Sequence, residues 1–326
     1  MRIPLTLLPL LAAPRAAAYS FSIPSLSSTP LNFALRLFSS NPFLPELDMS
    51  VPHPPALGPS QAGNVPGQGP PKIHLWTAGT PNGYKASVTL EELRAAYPDE
   101  AKNKLSYDVS AISIWKNEQK HPDFLKINPN GRIPAITDDN FNGHNVFESA
   151  SIQLWLVENY DPEYKLWFKD PIERSFALSW IFWAQGGLGP MQGQANHFFR
   201  YAPLKIPYGI KRYTEETARL FSVIEDGLKE GKNGWLVGGK FSIADINVYG
   251  WARAHGWAGV DTRPFPLLHK WLATIEAREA VQKGLQVPTA PRALTQQEED
   301  EAYAEVKEWV KKADAEIEAA KQKSMM

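Results

Sequence analysis

Cysteine is absent from all 326 residues. That excludes disulfide frameworks, cysteine-held metal sites and any protein thiol nucleophile, so sulfur chemistry here must use a sulfur that arrives with a substrate. An excess of charge of one sign is missing too: 34 Lys and Arg face 35 Asp and Glu, for a net charge of −1. With no basic stripe interleaved with aromatics, there is no electrostatic footprint for nucleic acid. The histidines, among them His53, His74, His121 and His144, never fall at a two-histidine helical spacing, so no metal is implied. Long hydrophobic runs are also lacking. The apolar stretch Ile3 to Ala13 is too short to span a bilayer, and membrane insertion is not expected. What remains, 43% apolar and 21% charged residues, is ordinary for a soluble globular chain with room for two domains and appendages.

Residues 2 to 45 carry Arg2, Arg15 and Arg36 but no Asp or Glu, among many Ser, Ala and Leu. This composition predicts a mitochondrial transit peptide over residues 1–48. Two alternatives stay open: a secretory signal built on the Ile3 to Ala13 run, or a cytoplasmic product started at Met49. Residues 49–71, rich in Pro, Gly and Ser and free of charged side chains, read as a disordered linker.

From Lys72 the periodicity predicts a strand at 72–77, a helix at 84–96, a strand at 105–109 and a helix ending near Leu125. Strands near 133–137 and 145–147 and a helix at 149–158 follow. That β-α-β-α-β-β-α order predicts an α/β thioredoxin-like domain over 72–162. Beyond Asp161-Pro162, helical periods at 171–185, 208–229, 242–254 and 266–278 predict an all-α domain over 163–290. Ser242-Ile243-Ala244-Asp245 fits a capping box, which makes Asp245 a folding residue. Gly186 to Gln194 lacks the context of a phosphate cradle and reads as a helix break lining the cleft. The extension 291–326 is a charged amphipathic helix whose apolar members, Ala302, Val306, Trp309, Val310, Ala313, Ile317 and Ala320, recur every three or four residues. It either packs on the domain or a partner, or stands as a solvated helix.

The segment Asn128 to Gln153, NPNGRIPAITDDNFNGHNVFESASIQ, concentrates the candidate binding residues. The Ile133-Pro134 bond follows a turn signal and precedes a short apolar strand, where a cis proline is tolerated and the backbone of Ile133 is left to pair with a peptide. Glu148-Ser149 opens a helix, so Ser149 and the first free N–H groups suit a carboxylate while Glu148 suits an ammonium. Each piece alone is also a plain turn, a plain N-cap or a helix-dipole residue. Their order is what points to a small zwitterionic peptide. At the first turn, Gly79 to Lys85, Thr80 and Asn82 are the side chains able to donate to a bound thiolate, with Tyr84 weaker; Thr-Pro-Asn-Gly is equally good turn chemistry without a ligand.

GTPNGYK, NPNGRIPAI and FESASI, followed by WIFWAQGGLGPMQGQANHFF, IPYGIKRY and FSIADI, together resemble the glutathione transferases over roughly Lys72 to Val287. The resemblance is to the branch of bacterial disulfide-bond reductases and fungal nitrogen-regulator-like transferases. It implies a thioredoxin-like domain followed by an all-α glutathione-transferase domain, with glutathione as cosubstrate and no metal. Ile133, next to Pro134, would pair with the cysteinyl unit, Glu148 and Ser149 would hold the γ-glutamyl end, and Asn82 with Thr80 would face the sulfur. Gln119 matches a position that reaches the glycine carboxylate, Arg212 a basic residue near the ligand, and Arg132 adds charge attraction for a carboxylate. The resemblance also implies a homodimer acting on a small disulfide or an electrophile. Two functions follow from different classes: a glutathione-dependent disulfide oxidoreductase or transferase, and a regulatory or binding protein that keeps the fold but works through the linker and the terminal helix.

Overall fold

The computed structural model describes residues 72–99 and 105–325. The segments expected as transit peptide and linker lie outside the described residues. Strand β1 (Ile73–Thr77) buries Ile73, Leu75 and Thr77 and leaves His74 and Trp76 half-buried, the period-two pattern of a strand with two unlike faces. It pairs in parallel with β2 (Tyr107–Ala111) and antiparallel with β3 (Ala135–Asp138), which pairs antiparallel with β4 (His144–Phe147). The sheet order is β2-β1-β3-β4. Between these strands run α1 (Pro81–Ala96), two short turns and α2 (Pro122–Ile127), and α3 (Ser149–Tyr160) closes the layer. The thioredoxin-like arrangement is therefore present.

Helix α1 begins three residues before the expected Tyr84. Pro81 takes the first helical position, where its missing N–H costs nothing, and Thr80 caps the turn by accepting the Gly83 N–H at 3.1 Å. Its residues from Gly83 to Leu93 are buried without interruption, because α3 covers one side while α7 (Ile243–Ala252) and α9 (Glu279–Leu285) cover the other.

The helical domain opens with α4 (Pro171–Trp183), capped by Asp170. The break expected at Gly186 to Gln194 does not occur. The backbone stays helical through a widened turn at Ala184–Leu188, α5 (Gly189–Asn196) and a second widened turn at His197–Tyr201. The glycines serve a close approach: a Cβ on Gly189 would lie 2.8 Å from the indole nitrogen of Trp251. Helix α6 (Pro207–Glu230) follows, then α7, α8 (Pro266–Glu276) and α9. The single helix expected at 266–278 stops at Glu276, and α9 is an additional helix beyond it. Arg278 is extended there, held by two hydrogen bonds to Glu92 at 2.6 and 2.7 Å that tie the head of α9 to α1.

The capping box at the head of α7 is present, and Asp245 exceeds its expected role. Fully buried, it accepts from the N–H groups of Leu236 and Ser242, the Ser242 hydroxyl and the Trp271 indole, all within 3.2 Å. Helix α10 (Gln296–Ser324) packs on α6 and on the turn Gly256–Ala258 through Ala302, Tyr303, Val306 and Ala313. Lys211–Asp314 at 3.1 Å and Arg263–Asp300 at 3.0 Å pin its flanks. Ala320, expected on the apolar face, is exposed, because the helix has run past the domain.

Candidate functional site

The turn at the head of α1 holds Thr80 and Asn82. The Thr80 oxygen accepts the Gly83 N–H, which leaves its hydroxyl hydrogen to donate elsewhere. Asn82 Oδ1 accepts the indole N–H of Trp251 at 3.0 Å. Because an indole only donates, this bond fixes the amide so that Nδ2 is its remaining donor. Both donors thus stand at the positive, N-terminal end of α1, where a thiolate gains most.

Across from the turn, the Ile133-Pro134 bond is cis and Ile133 packs against Ile112, Phe124 and Ala135. Pairing of β3 with β1 and β4 begins only at Ala135, so Ile133 stands just outside the ladder. Glu148 has φ +69° and ψ +121°, a conformation that costs a non-glycine residue about 1–3 kcal/mol and is kept where function requires it. Glu148, not Ser149, is the N-cap; Ser149 is the first helical residue and is buried. The shift of one residue leaves the carboxylate exposed, 3.5 Å from the Asn130 amide, and directs the Ser149 hydroxyl inward to the Gln185 amide at 3.4 Å.

The turn carrying Gln119 abuts this edge: a Cβ on Gly131 would lie 2.9 Å from the Gln119 carbonyl. The Gln119 side-chain oxygen is buried without a partner, while its amide sits 3.4 Å from Asn117. Arg132 is exposed, and its carbonyl accepts the Asn128 amide at 2.6 Å. The structure therefore brings Gln119, Arg132, Ile133, Pro134, Glu148 and Ser149 to one edge. Arg212 is exposed on α6, 4.0 Å from Glu216.

Sequence reasoning missed Lys85 and Gln185. Lys85 is fully buried on α1 and donates to Gln185 Oε1 at 2.5 Å. Burial pushes its ammonium down to about 7, against the opposing pull of Glu148. It stands inside the GTPNGYK motif, but only tertiary packing shows that a lysine there is enclosed. A cavity of about 570 Å³ adjoins the turn on the side of Thr80 and Tyr84, with Arg253, His255, His269 and Arg292 in its wall. The Tyr84 hydroxyl lies beside Gly79, 2.9 Å from where a Cβ there would stand, and donates to the Thr289 carbonyl at 3.1 Å; burial raises its pKa while Arg253 opposes the shift. Among the described residues no group of His, Asp or Glu could hold a metal, and no helix is long and apolar enough to cross a membrane.

The sequence pattern of the glutathione S-transferase N-terminal domain matches residues 71–158, and that of the C-terminal domain residues 210–279. The disulfide-bond oxidoreductase YfcG of Escherichia coli (strain K12) is 37% identical over 217 residues, 65% of this chain and 94% of that protein. The chain belongs to the glutathione S-transferase family. Among solved structures, a glutathione transferase homolog from Lodderomyces elongisporus with two GSH per subunit has a TM-score of 0.61 at 39% identity, covering 67% of this chain and 99% of the other. The transferase URE2P8 from Phanerochaete chrysosporium, with oxidized glutathione, has a TM-score of 0.61 at 31% identity, covering 68% and 96%.

Proposed function

We propose that this protein is a glutathione-dependent disulfide oxidoreductase whose nucleophile is the thiolate of bound glutathione. The observation that carries the proposal is the Asn82 amide, oriented by Trp251 at the head of α1, opposite the Ile133 and Glu148-Ser149 edge. Glutathione lies along that edge: its γ-glutamyl carboxylate at Ser149 and the N–H groups opening α3, its ammonium at Glu148, its cysteinyl backbone on Ile133, its glycine end toward Gln119. The sulfur then meets Thr80 and Asn82. Lowering a thiol pKa by two units requires about 2.7 kcal/mol of preferential thiolate stabilisation, within reach of two donors and a helix terminus.

The bound thiolate attacks one sulfur of a small disulfide, forming a new S–S bond and expelling the other sulfur as a thiolate. A second glutathione thiolate then attacks the glutathionyl sulfur of that mixed disulfide, giving glutathione disulfide and the second substrate thiolate. The two electrons come from two glutathiones, as a chain without cysteine requires. We expect disulfide reduction to exceed conjugation to an aromatic halide, because Asn82 offers no Ser, Tyr or Cys to drive the latter. Steady-state rates with 2-hydroxyethyl disulfide and 1-chloro-2,4-dinitrobenzene test this; equal or reversed rates would overturn the ordering, and binding without turnover would favour the regulatory reading.

The protein works as a homodimer on this reading, since Phe147, Ile172, Phe176 and Phe182 are exposed on β4 and α4. Light scattering coupled to size exclusion should give twice the chain mass at micromolar concentration, and Phe176→Glu should shift it toward the single-chain mass. A wild-type monomer defeats this part.

A further inference from the structure

Lys85 is a buried cation that the glutathione chemistry does not use. Among the described residues no carboxylate comes within ion-pair distance of it, and one of its three donors is accounted for, by Gln185. Gly250 on α7 closes over its stem, where a Cβ would lie 2.9 Å from Lys85 Cγ, so the ammonium cannot swing out to solvent. Asp245, a buried carboxylate of the helical domain, is by contrast met by four donors. An enclosed charge without a counter-ion is costly and is retained where an opposite charge arrives. The route for that charge is visible: Lys85 donates to Gln185, and Gln185 donates to the Ser149 hydroxyl at the head of α3. The backbone N–H groups of that helix start face the same point.

We propose that Lys85 and Gln185 form a buried relay that positions the ligand carboxylate at Ser149 and couples its arrival to uptake of a proton by Lys85. The proposal rests on the glutathione reading and deepens it: Lys85 is a positioning residue that acts through Gln185. The neighbouring charges support the assignment. Glu148, at the head of α3, is the one that acts on Lys85. From the end of α7, Arg253 faces Tyr84 instead. Toward the α9 end, Glu92 is occupied by Arg278, and Glu91 by Arg94 and the Tyr107 hydroxyl. The groups nearest along α1 and α3, Thr89 and Gln153, are neutral and bonded to each other.

The sign follows from linkage. Below about pH 7 Lys85 is already charged in the free protein, and a carboxylate can bind without a proton. Above it Lys85 is neutral when free and charged in the complex, so affinity falls as pH rises, approaching about tenfold per pH unit.

The test is isothermal titration of the full chain with S-hexylglutathione, whose blocked sulfur has no proton to release, at pH 6.5 and 8 in buffers of different ionisation enthalpy. We expect wild type to take up close to one proton more per ligand than Lys85→Met at pH 8, and only about a quarter of a proton more at pH 6.5. Lys85→Met should bind about tenfold more weakly at pH 6.5 and show a flatter pH profile. Gln185→Met, which keeps the lysine and cuts the relay, should lose most of the excess uptake and serves if Lys85→Met does not fold. Equal proton uptake in wild type and both variants, or wild-type affinity in Lys85→Met, overturns the relay while leaving the glutathione reading intact. Failure of wild type to bind S-hexylglutathione at millimolar concentration overturns both.

Discussion

Replacing Asn82 with alanine should lower kcat/KM for glutathione-dependent disulfide reduction about 10- to 100-fold, the value of one hydrogen bond to a charged group. Glutathione affinity should change by less than about threefold, because the peptide is held at Ile133, Glu148 and Ser149, and the sulfur contact matters chiefly once the thiol ionises. Asn82→Asp is the sharper control. It keeps the size of the side chain and can still accept the Trp251 N–H, but it places negative charge beside a thiolate, so it should fall below the alanine variant. Trp251→Phe should give an intermediate loss, since without the indole the amide is free to turn its oxygen toward the sulfur. Steady-state kinetics with the thiol pKa read from the ultraviolet absorbance of bound thiolate decide the matter. Wild-type kcat/KM in Asn82→Ala would remove Asn82 from the mechanism.

The largest loss of stability is expected at Asp245. Four donors point at its two oxygens from the loop before α7, the cap of α7 and α8, and truncation to alanine leaves all four buried and unpaired. Removing one side of such a buried network costs about 3–5 kcal/mol. For a folded unit of this size that corresponds to a Tm lower by roughly 10 °C. Asp245→Asn should lose about half as much, because one oxygen still accepts the Leu236 and Trp271 N–H groups while the new amide meets the Ser242 N–H. Urea denaturation followed by tryptophan fluorescence measures the difference. An alanine variant within about 1 kcal/mol of wild type would mean that the four donors find other partners and that the carboxylate does not hold the cap together.

Much of this architecture is legible in the residues because period changes mark it. Ile73, Leu75 and Thr77 alternate, and the capping signal at Ser242 sits where α7 begins. The peptide edge is legible for the same reason: Pro134 and Glu148-Ser149 are local signals whose meaning survives folding. What could not be read are features created by one element lying on another. Pro81 and Asn82 pass as turn residues until Thr80 is seen to cap the helix they open. Gly189 passes as a helix breaker until Trp251 lies against it. Lys85 shows the limit most clearly. A helix exposed on one side announces a buried lysine by placing it among apolar neighbours of the inner stripe, but α1 is enclosed on both sides and has no stripe to violate. Arg212, the helical-domain cation expected from the resemblance, lies on an exposed face, whereas the enclosed cation ends the GTPNGYK turn of the first domain.

The bond between the Tyr84 hydroxyl and the Thr289 carbonyl joins residues 205 positions apart, and the stretch it anchors supplies Pro291 and Arg292 to the cavity wall. During synthesis the peptide edge and the first turn of α1 leave the ribosome long before that stretch does. At about 5–20 residues per second the interval is some tens of seconds. A nascent chain halted short of Thr289 therefore carries the whole peptide edge with the cavity open on one side, and the site acquires its outer wall only once that stretch has been made.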